Sequence, residues 1–237
     1  MSELSFRNDL SNLMRDCDLQ QFLDFIGHDY DFEADSHSVL DKAAYYGREE
    51  ILLHALDHGG NPNGAGELST PLASVCGRGN LKLAKLLLKR GAEVDLKDKF
   101  GRTAMISAVY NGTIAAAKLL VDAGASLDGA MEAAVDKLRI AFVKFLIEVG
   151  APIDQVDRYG LTPLLHACSA GKKKGSEIAM LLLQAGADAT YVREEDGMSA
   201  IKLGYSGYGE CSAQVFAELR VRGAPEPEWG SQIVQLR

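Results

Sequence analysis

The sequence predicts an all-α repeat fold: a solenoid of stacked helix-turn-helix units. Three observations predict it. Helix starts of the Thr-Pro-Leu type recur in phase, a Gly follows several of them at a fixed distance, and a Gly-Ala pair closes unit after unit.

The starts come first. Thr70-Pro71-Leu72, Thr103-Ala104-Met105 and Thr162-Pro163-Leu164 each open a helix. Thr caps well because its hydroxyl accepts from a free backbone N–H of the first turn. Pro fits the next position because its missing N–H would go unused there. Leu then points into the core. Further starts are read at Asn8 (a degenerate cap), Ser38, Gly129 and Ser199.

Gly79, Gly112 and Gly171 lie nine residues after their Thr. A left-handed residue is needed there to end the first helix. Second helices are expected over 81–89, 114–121 and 177–183. Gly91-Ala92, Gly124-Ala125, Gly150-Ala151, Gly186-Ala187 and Gly223-Ala224 close the units, with Gly59-Gly60 as a variant. Thr70 to Gly91 and Thr103 to Gly124 both measure 21 residues, as do Ser38 to Gly59 and Gly129 to Gly150. Leu86, Leu87, Leu119, Leu120, Phe145, Leu146, Leu181 and Leu182 are expected in the core, because one helix pair cannot bury its apolar face without stacked neighbours.

With Thr70 to Thr103 spanning 33 residues, the chain resembles the ankyrin-repeat family. That family's unit is a turn and two helices, opened by T-P-L-H-x-A. About seven repeats cover nearly the whole chain. The resemblance implies an ankyrin-repeat solenoid with β-hairpin fingers. It would be a single domain over 1–237, with an acidic capping repeat at 1–37, central repeats at 38–198 and a divergent capping repeat and tail at 199–237.

Departures from the pattern are local. The family's opening His is replaced by Asp41, Ala73, Ile106, Glu132, Leu165 and Lys202. Gly124 is followed by the next start after five residues, where about twelve is usual, so one finger is missing. The resulting notch is expected to admit a protruding element of a partner. Leu138 stands where the helix-turn Gly belongs, and Lys172-Lys173-Lys174 is read as enlarging the next turn. The segment from Gly204 to Gly209 is read as a loose connection inside the last repeat.

The 237 residues carry a formal charge of −8 and are 47% hydrophobic, enough for a sizeable core. Residues 1–36 hold nine acids against Arg7 and Arg15, a net −7. Such a field repels nucleic acid and anionic membrane and steers basic partners, or simply solubilises an end cap. No stretch of about 18 apolar residues occurs, and Met1-Ser2-Glu3-Leu4 opens no secretory signal. A cytoplasmic protein is expected. Cys17, Cys76, Cys168 and Cys211 are too widely spaced for a zinc site or a disulfide framework, and reduced buried thiols are expected.

Chemistry finds no foothold. His54 and His58 sit four apart, half of a metal site with no third ligand. Asp29-x-Asp31-x-Glu33-x-Asp35 lacks the Gly and Glu of a calcium loop. The Gly171–Ser176 segment has the wrong Gly spacing for a phosphate loop. His166 and Cys168, two apart on one helix, face different ways. No enzyme, cofactor, metal or small-molecule substrate is expected.

The expected function is a scaffold that binds a folded partner protein. By resemblance, the concave side of fingers and first helices receives it. Candidate partner-binding residues are Lys42, Tyr45, Tyr46, Arg78, Phe100, Tyr110, Asn111, Tyr159 and His166. Tyr and Arg combine contact area with hydrogen bonding, which is why they dominate interface hot spots. Charge and architecture also admit a stand-alone inhibitor or immunity-type protein that occludes a basic enzyme or toxin. A third reading is a structural subunit that self-assembles through Trp229 and the tail.

Overall fold

The computed structural model describes residues 3–27, 30–32, 39–64, 69–170, 172–206 and 211–227. The expected start at Ser38, the turn at Gly171, the acids Asp29, Glu33 and Asp35, and Trp229 lie outside them. Fourteen helices are described, in two compact units, 1–126 and 127–237.

The first unit stacks four helix pairs: α1 (Glu3–Asp16) with α2 (Leu19–Ile26), α3 (Val39–Tyr46) with α4 (Glu49–Asp57), α5 (Pro71–Gly77) with α6 (Leu81–Lys89), and α7 (Ala104–Asn111) with α8 (Ile114–Asp122). The second stacks three: α9 (Ala130–Asp136) with α10 (Ile140–Glu148), α11 (Pro163–Ala170) with α12 (Lys172–Gln184), and α13 (Ala200–Ser206) with α14 (Ala213–Val221).

The predicted caps are in place. Thr70 accepts from Ala73 N at 3.1 Å, Thr103 from Ile106 N at 3.4 Å, Thr162 from Leu165 N at 3.3 Å and Ser199 from Lys202 N at 3.3 Å. Gly129 caps α9 without a side chain. Asn8 is not a start. It sits in the middle of α1, which runs on because Leu10 and Met14, four apart, are both fully buried. The cap in this repeat is instead Asp18, which forms a capping box with Gln21.

Each closing Gly-Ala pair satisfies the last carbonyls of its helix. The Ala N–H reaches back five residues in every case: Ala92 to Leu87, Ala125 to Leu120, Ala151 to Leu146, Ala187 to Leu182 and Ala224 to Leu219, all at 2.9 Å. Leu87, Leu120, Leu146, Leu182 and Leu219 are the residues that these bonds anchor, and all five are fully buried. Leu86, Leu119 and Leu181 are only half-buried, so of each Leu pair the second residue faces the core.

Neighbouring repeats share a recurrent rung. A turn side chain accepts the N–H two residues after the next repeat's closing Gly. Asn63 accepts from Glu93 at 2.8 Å, Asp95 from Ser126 at 2.9 Å and Asp154 from Asp188 at 3.0 Å. After Gly150 the corresponding residue is Pro152, which has no N–H to give. There the short connection is tied differently, with Gly129 N donating to Gln155 Oε1 at 3.1 Å.

Three expectations change. The fingers are turns rather than hairpin ladders. Among the described residues the β-pairing is one isolated bridge, Val192 to Ser199; at the Asp98 and Asp157 fingers a single backbone bond closes the turn, Asp98 N to Arg102 O at 2.9 Å and Asp157 N to Leu161 O at 3.0 Å, beside the bonds to the Asp side chain. Lys172–Lys174 does not enlarge a turn: these residues begin α12, consistent with the good helix propensity of Lys. Gly204, Tyr205 and Ser206 belong to α13, whose Gly204 lies against the Phe216 ring. Residues 207–209 lie outside the described residues.

Candidate functional site

In the first unit, Tyr45 and Tyr46 end α3 and Arg78 caps the end of α5. The two tyrosine rings meet edge to face, with centroids 5.1 Å apart. Arg78 lies with its guanidinium carbon 5.9 Å from the Tyr45 centroid and donates to the Tyr45 carbonyl. Tyr45 is 49% exposed. Asn111, exposed at the end of α7, donates to Ser107 O at 2.9 Å and lies beside Gly77. A β-carbon on Gly77 would come within 2.9 Å of its amide nitrogen. Tyr110 is half-buried. Lys42 is only 7% exposed, held by the packing of α3, so it does not join the patch.

The finger between α6 and α7 is organised by Asp98. One carboxylate oxygen accepts from Phe100 N at 2.8 Å and Arg102 N at 2.9 Å, and the other accepts from Arg102 Nε at 2.9 Å. This turn displays Phe100, 64% exposed, with Lys99 Nζ 5.1 Å and Arg102 Cζ 4.8 Å from its ring centroid.

The second unit repeats the device between α10 and α11. Asp157 Oδ1 accepts from Tyr159 N and Leu161 N, both at 2.8 Å, and Oδ2 bonds His166 Nε2 at 2.8 Å. Tyr159 is 55% exposed with Arg158 Cζ 4.8 Å from its centroid, and Arg193 donates to its carbonyl at 3.3 Å. Tyr159 and His166 are thus joined through one aspartate. Within the first unit, Tyr45, Tyr46 and Arg78 lie together.

A family profile described as "Ankyrin repeats (3 copies)" matches residues 40–129, and one described as "Ankyrin repeat" matches 159–193. The chain belongs to the ankyrin-repeat family. Among its curated relatives is ankyrin repeat protein nuc-2 of Neurospora crassa, 28% identical over 66% of this chain and 15% of that protein. Another is cyclin-dependent kinase inhibitor 2A of Monodelphis domestica, 35% identical over 40% of this chain and 57% of the inhibitor. The chain therefore spans less than two thirds of either. The human ASB11 ankyrin repeat domain has the same fold, with a TM-score of 0.68 at 22% identity over 96% of this chain and all of that one. Ankyrin repeats generally serve as protein-binding modules. Among the described residues no helix is long and apolar enough to cross a membrane.

Sequence reasoning named Arg78 but missed the two finger aspartates and the finger cations Lys99, Arg102 and Arg158. The signal was present in this ankyrin chain: Asp-x-(Phe/Tyr)-Gly, with Asp five residues before the capping Thr, occurs at both Asp98 and Asp157.

One group among the described residues offers metal-ligand geometry. Donor atoms of Glu132, Asp157 and His166 all lie within 4.8 Å of one another. Burial raises Glu132, helped by the neighbouring Asp157 carboxylate. Burial also pushes Asp157 upward, but the Leu161 N–H, His166 and the Tyr159 N–H outweigh it and hold the carboxyl below its usual range. Asp98 carries Arg102 where Asp157 carries His166. The Asp157–His166 pair braces its turn as the Asp98–Arg102 pair braces the other. His54 and His58 stack with centroids 4.0 Å apart, His54 meets Phe32 edge to face, and burial lowers His54.

Proposed function

We propose that this ankyrin-repeat chain recognises a folded partner protein through the ends of its first helices and its finger turns, the side that family resemblance implies is concave. The observation that supports this is a pattern of exposed rings. Tyr45, Phe100 and Tyr159 are the exposed aromatic residues among those described, and each has a cationic side chain within 6 Å of its ring. In water an exposed cation–ring pair gains only about 0.5–1 kcal/mol. Folding alone gives little reason to leave such rings outside, whereas a partner that buries ring and guanidinium together gains much more.

The test is capture from native lysate, with affinity then measured for the captured protein. Wild type is compared with Tyr45→Ala, Phe100→Ala and Tyr159→Ala. At least one substitution should weaken binding by about 2 kcal/mol, a roughly thirtyfold rise in Kd. Unchanged Kd in all three would move recognition away from this side.

A second reading is an inhibitor that occludes a basic enzyme. Two observations favour it: the −7 charge of residues 1–36, and the relative whose name is that of a kinase inhibitor. A captured enzyme should lose activity on titration with this chain, less so at high salt. Activity unaffected at saturation would rule the inhibitor out while leaving recognition intact.

A further inference from the structure

The last two repeats bring two cysteines together that sequence spacing keeps 43 residues apart. Cys168 lies in α11 and is fully buried; Cys211 immediately precedes Ser212, the N-cap of α14, and is 5% exposed. The Cys211 thiol donates to the Cys168 carbonyl oxygen at 3.5 Å, and the Cys168 thiol pairs with Cys211.

The surroundings distinguish the two sulfurs. Ser176 of α12 accepts from Ser212 N at 2.9 Å, which leaves its own hydroxyl proton for Cys211. Cys211 thus sits just before a helix start, whose free backbone N–H groups favour a thiolate. The hydrogen bond from Cys168 and that from Ser176 lower the Cys211 thiol against the opposing effect of burial, while the same pairing and burial raise Cys168. Elsewhere burial pushes Cys76 up to about 12 and also raises Cys17. A groove of about 600 Å³ runs alongside, lined by Lys173, Ser176, Glu177, Met180, Ser212 and Gln214 among others. Of the two sulfurs, Cys211 belongs to the residue that keeps some exposure, 5%, against none for Cys168.

We propose that Cys211 and Cys168 form a peroxide-reactive pair, with Cys211 as the attacking sulfur and Cys168 as the resolving one. The Cys211 thiolate attacks one peroxide oxygen and the O–O bond breaks. The hydroxide released takes up the proton that Cys211 lost, giving water and a sulfenic acid on Cys211. The Cys168 sulfur then attacks the Cys211 sulfur and the S–O bond breaks. The departing hydroxide takes the Cys168 proton, giving a second water and a disulfide. Two thiols lose two protons and two electrons, and one peroxide is reduced to two waters. The product ties α11 to the start of α14, fastening the last repeat to the one before it.

The experiment uses the full chain and hydrogen peroxide. The fully reduced protein has four free thiols. After treatment and denaturation the count should fall to two, with a mass loss of about 2 Da and one cross-linked peptide pair containing Cys168 and Cys211, all reversed by dithiothreitol. In Cys168→Ser the cross-link should vanish and Cys211 should be trapped as a dimedone adduct. In Cys211→Ser the remaining three thiols should survive the same dose. A wild-type count that stays at four overturns the proposal without recourse to any variant. A bond that includes Cys17 or Cys76, or one between two chains, also overturns it.

Discussion

Leu138 is the one non-glycine with a positive φ, 49°, among the described residues. It holds the position that Gly79 and Gly112 hold elsewhere, at φ 73° and 81°. A β-carbon in this conformation costs about 1–2 kcal/mol. Leu138 is half-buried, so some packing opposes the gain. Leu138→Gly should nevertheless stabilise the chain by about 1 kcal/mol, and Gly79→Ala should destabilise it by about as much; urea midpoints measure both. The Glu132–Asp157 pair yields opposite signs again. A carboxyl raised by folding contributes stability below its unfolded value, about 4.3, and loses it as pH rises through the folded value. Glu132→Gln should therefore raise the urea midpoint at pH 7, and the difference should close toward pH 4. An advantage that persists at pH 4 would show packing, not charge, to be responsible. A carboxyl lowered by folding contributes above about 3.9 and loses it as pH falls, so Asp157→Asn should be destabilising at pH 7. At this scale the caps at Thr70, Thr103 and Thr162 were legible in the sequence, because a cap is a local bond between residues three apart. The Asp157–His166 bond was not, because it joins a turn to a helix nine residues on.

Helices and their ends were read well where a single residue type decides them, as at the closing Gly-Ala pairs. They were misread where tertiary packing decides. Gly175 shows why three lysines became helix. A β-carbon there would lie 2.7 Å from the Ala167 carbonyl oxygen, so only Gly lets the first turn of α12 close on α11. In an open helix Gly→Ala would gain about 1 kcal/mol. Here the clash is with backbone, and overpacking of that kind costs about 1–3 kcal/mol. Gly175→Ala should therefore lower the melting temperature. A rise would mean that α12 can draw back from α11 freely. The exposed rings were likewise half-legible. Their position relative to each capping Thr placed Phe100 and Tyr159 on the fingers, but Lys99, Arg102 and Arg158 gained meaning only once Asp98 and Asp157 had bent the chain.

Across the whole molecule, the boundary between the two compact units falls between Ser126 and Leu127. That is inside the five-residue connection from Gly124 to Gly129, where the sequence had already lost a finger. Each unit has its own fully buried residues, such as Leu87 in the first and Leu182 in the second. In repeat proteins stability is close to a sum of repeat and nearest-neighbour terms, so a weak link divides cooperativity. Equilibrium unfolding in urea should accordingly show two transitions. Leu87→Ala and Leu182→Ala should each remove about 2–5 kcal/mol, but from different transitions. Hydrogen exchange read peptide by peptide assigns each loss to residues before or after 126. If either substitution moved one common transition, with exchange rising evenly through all the described helices, the two units would unfold as one, and the shortened connection would be a cooperative joint rather than a seam.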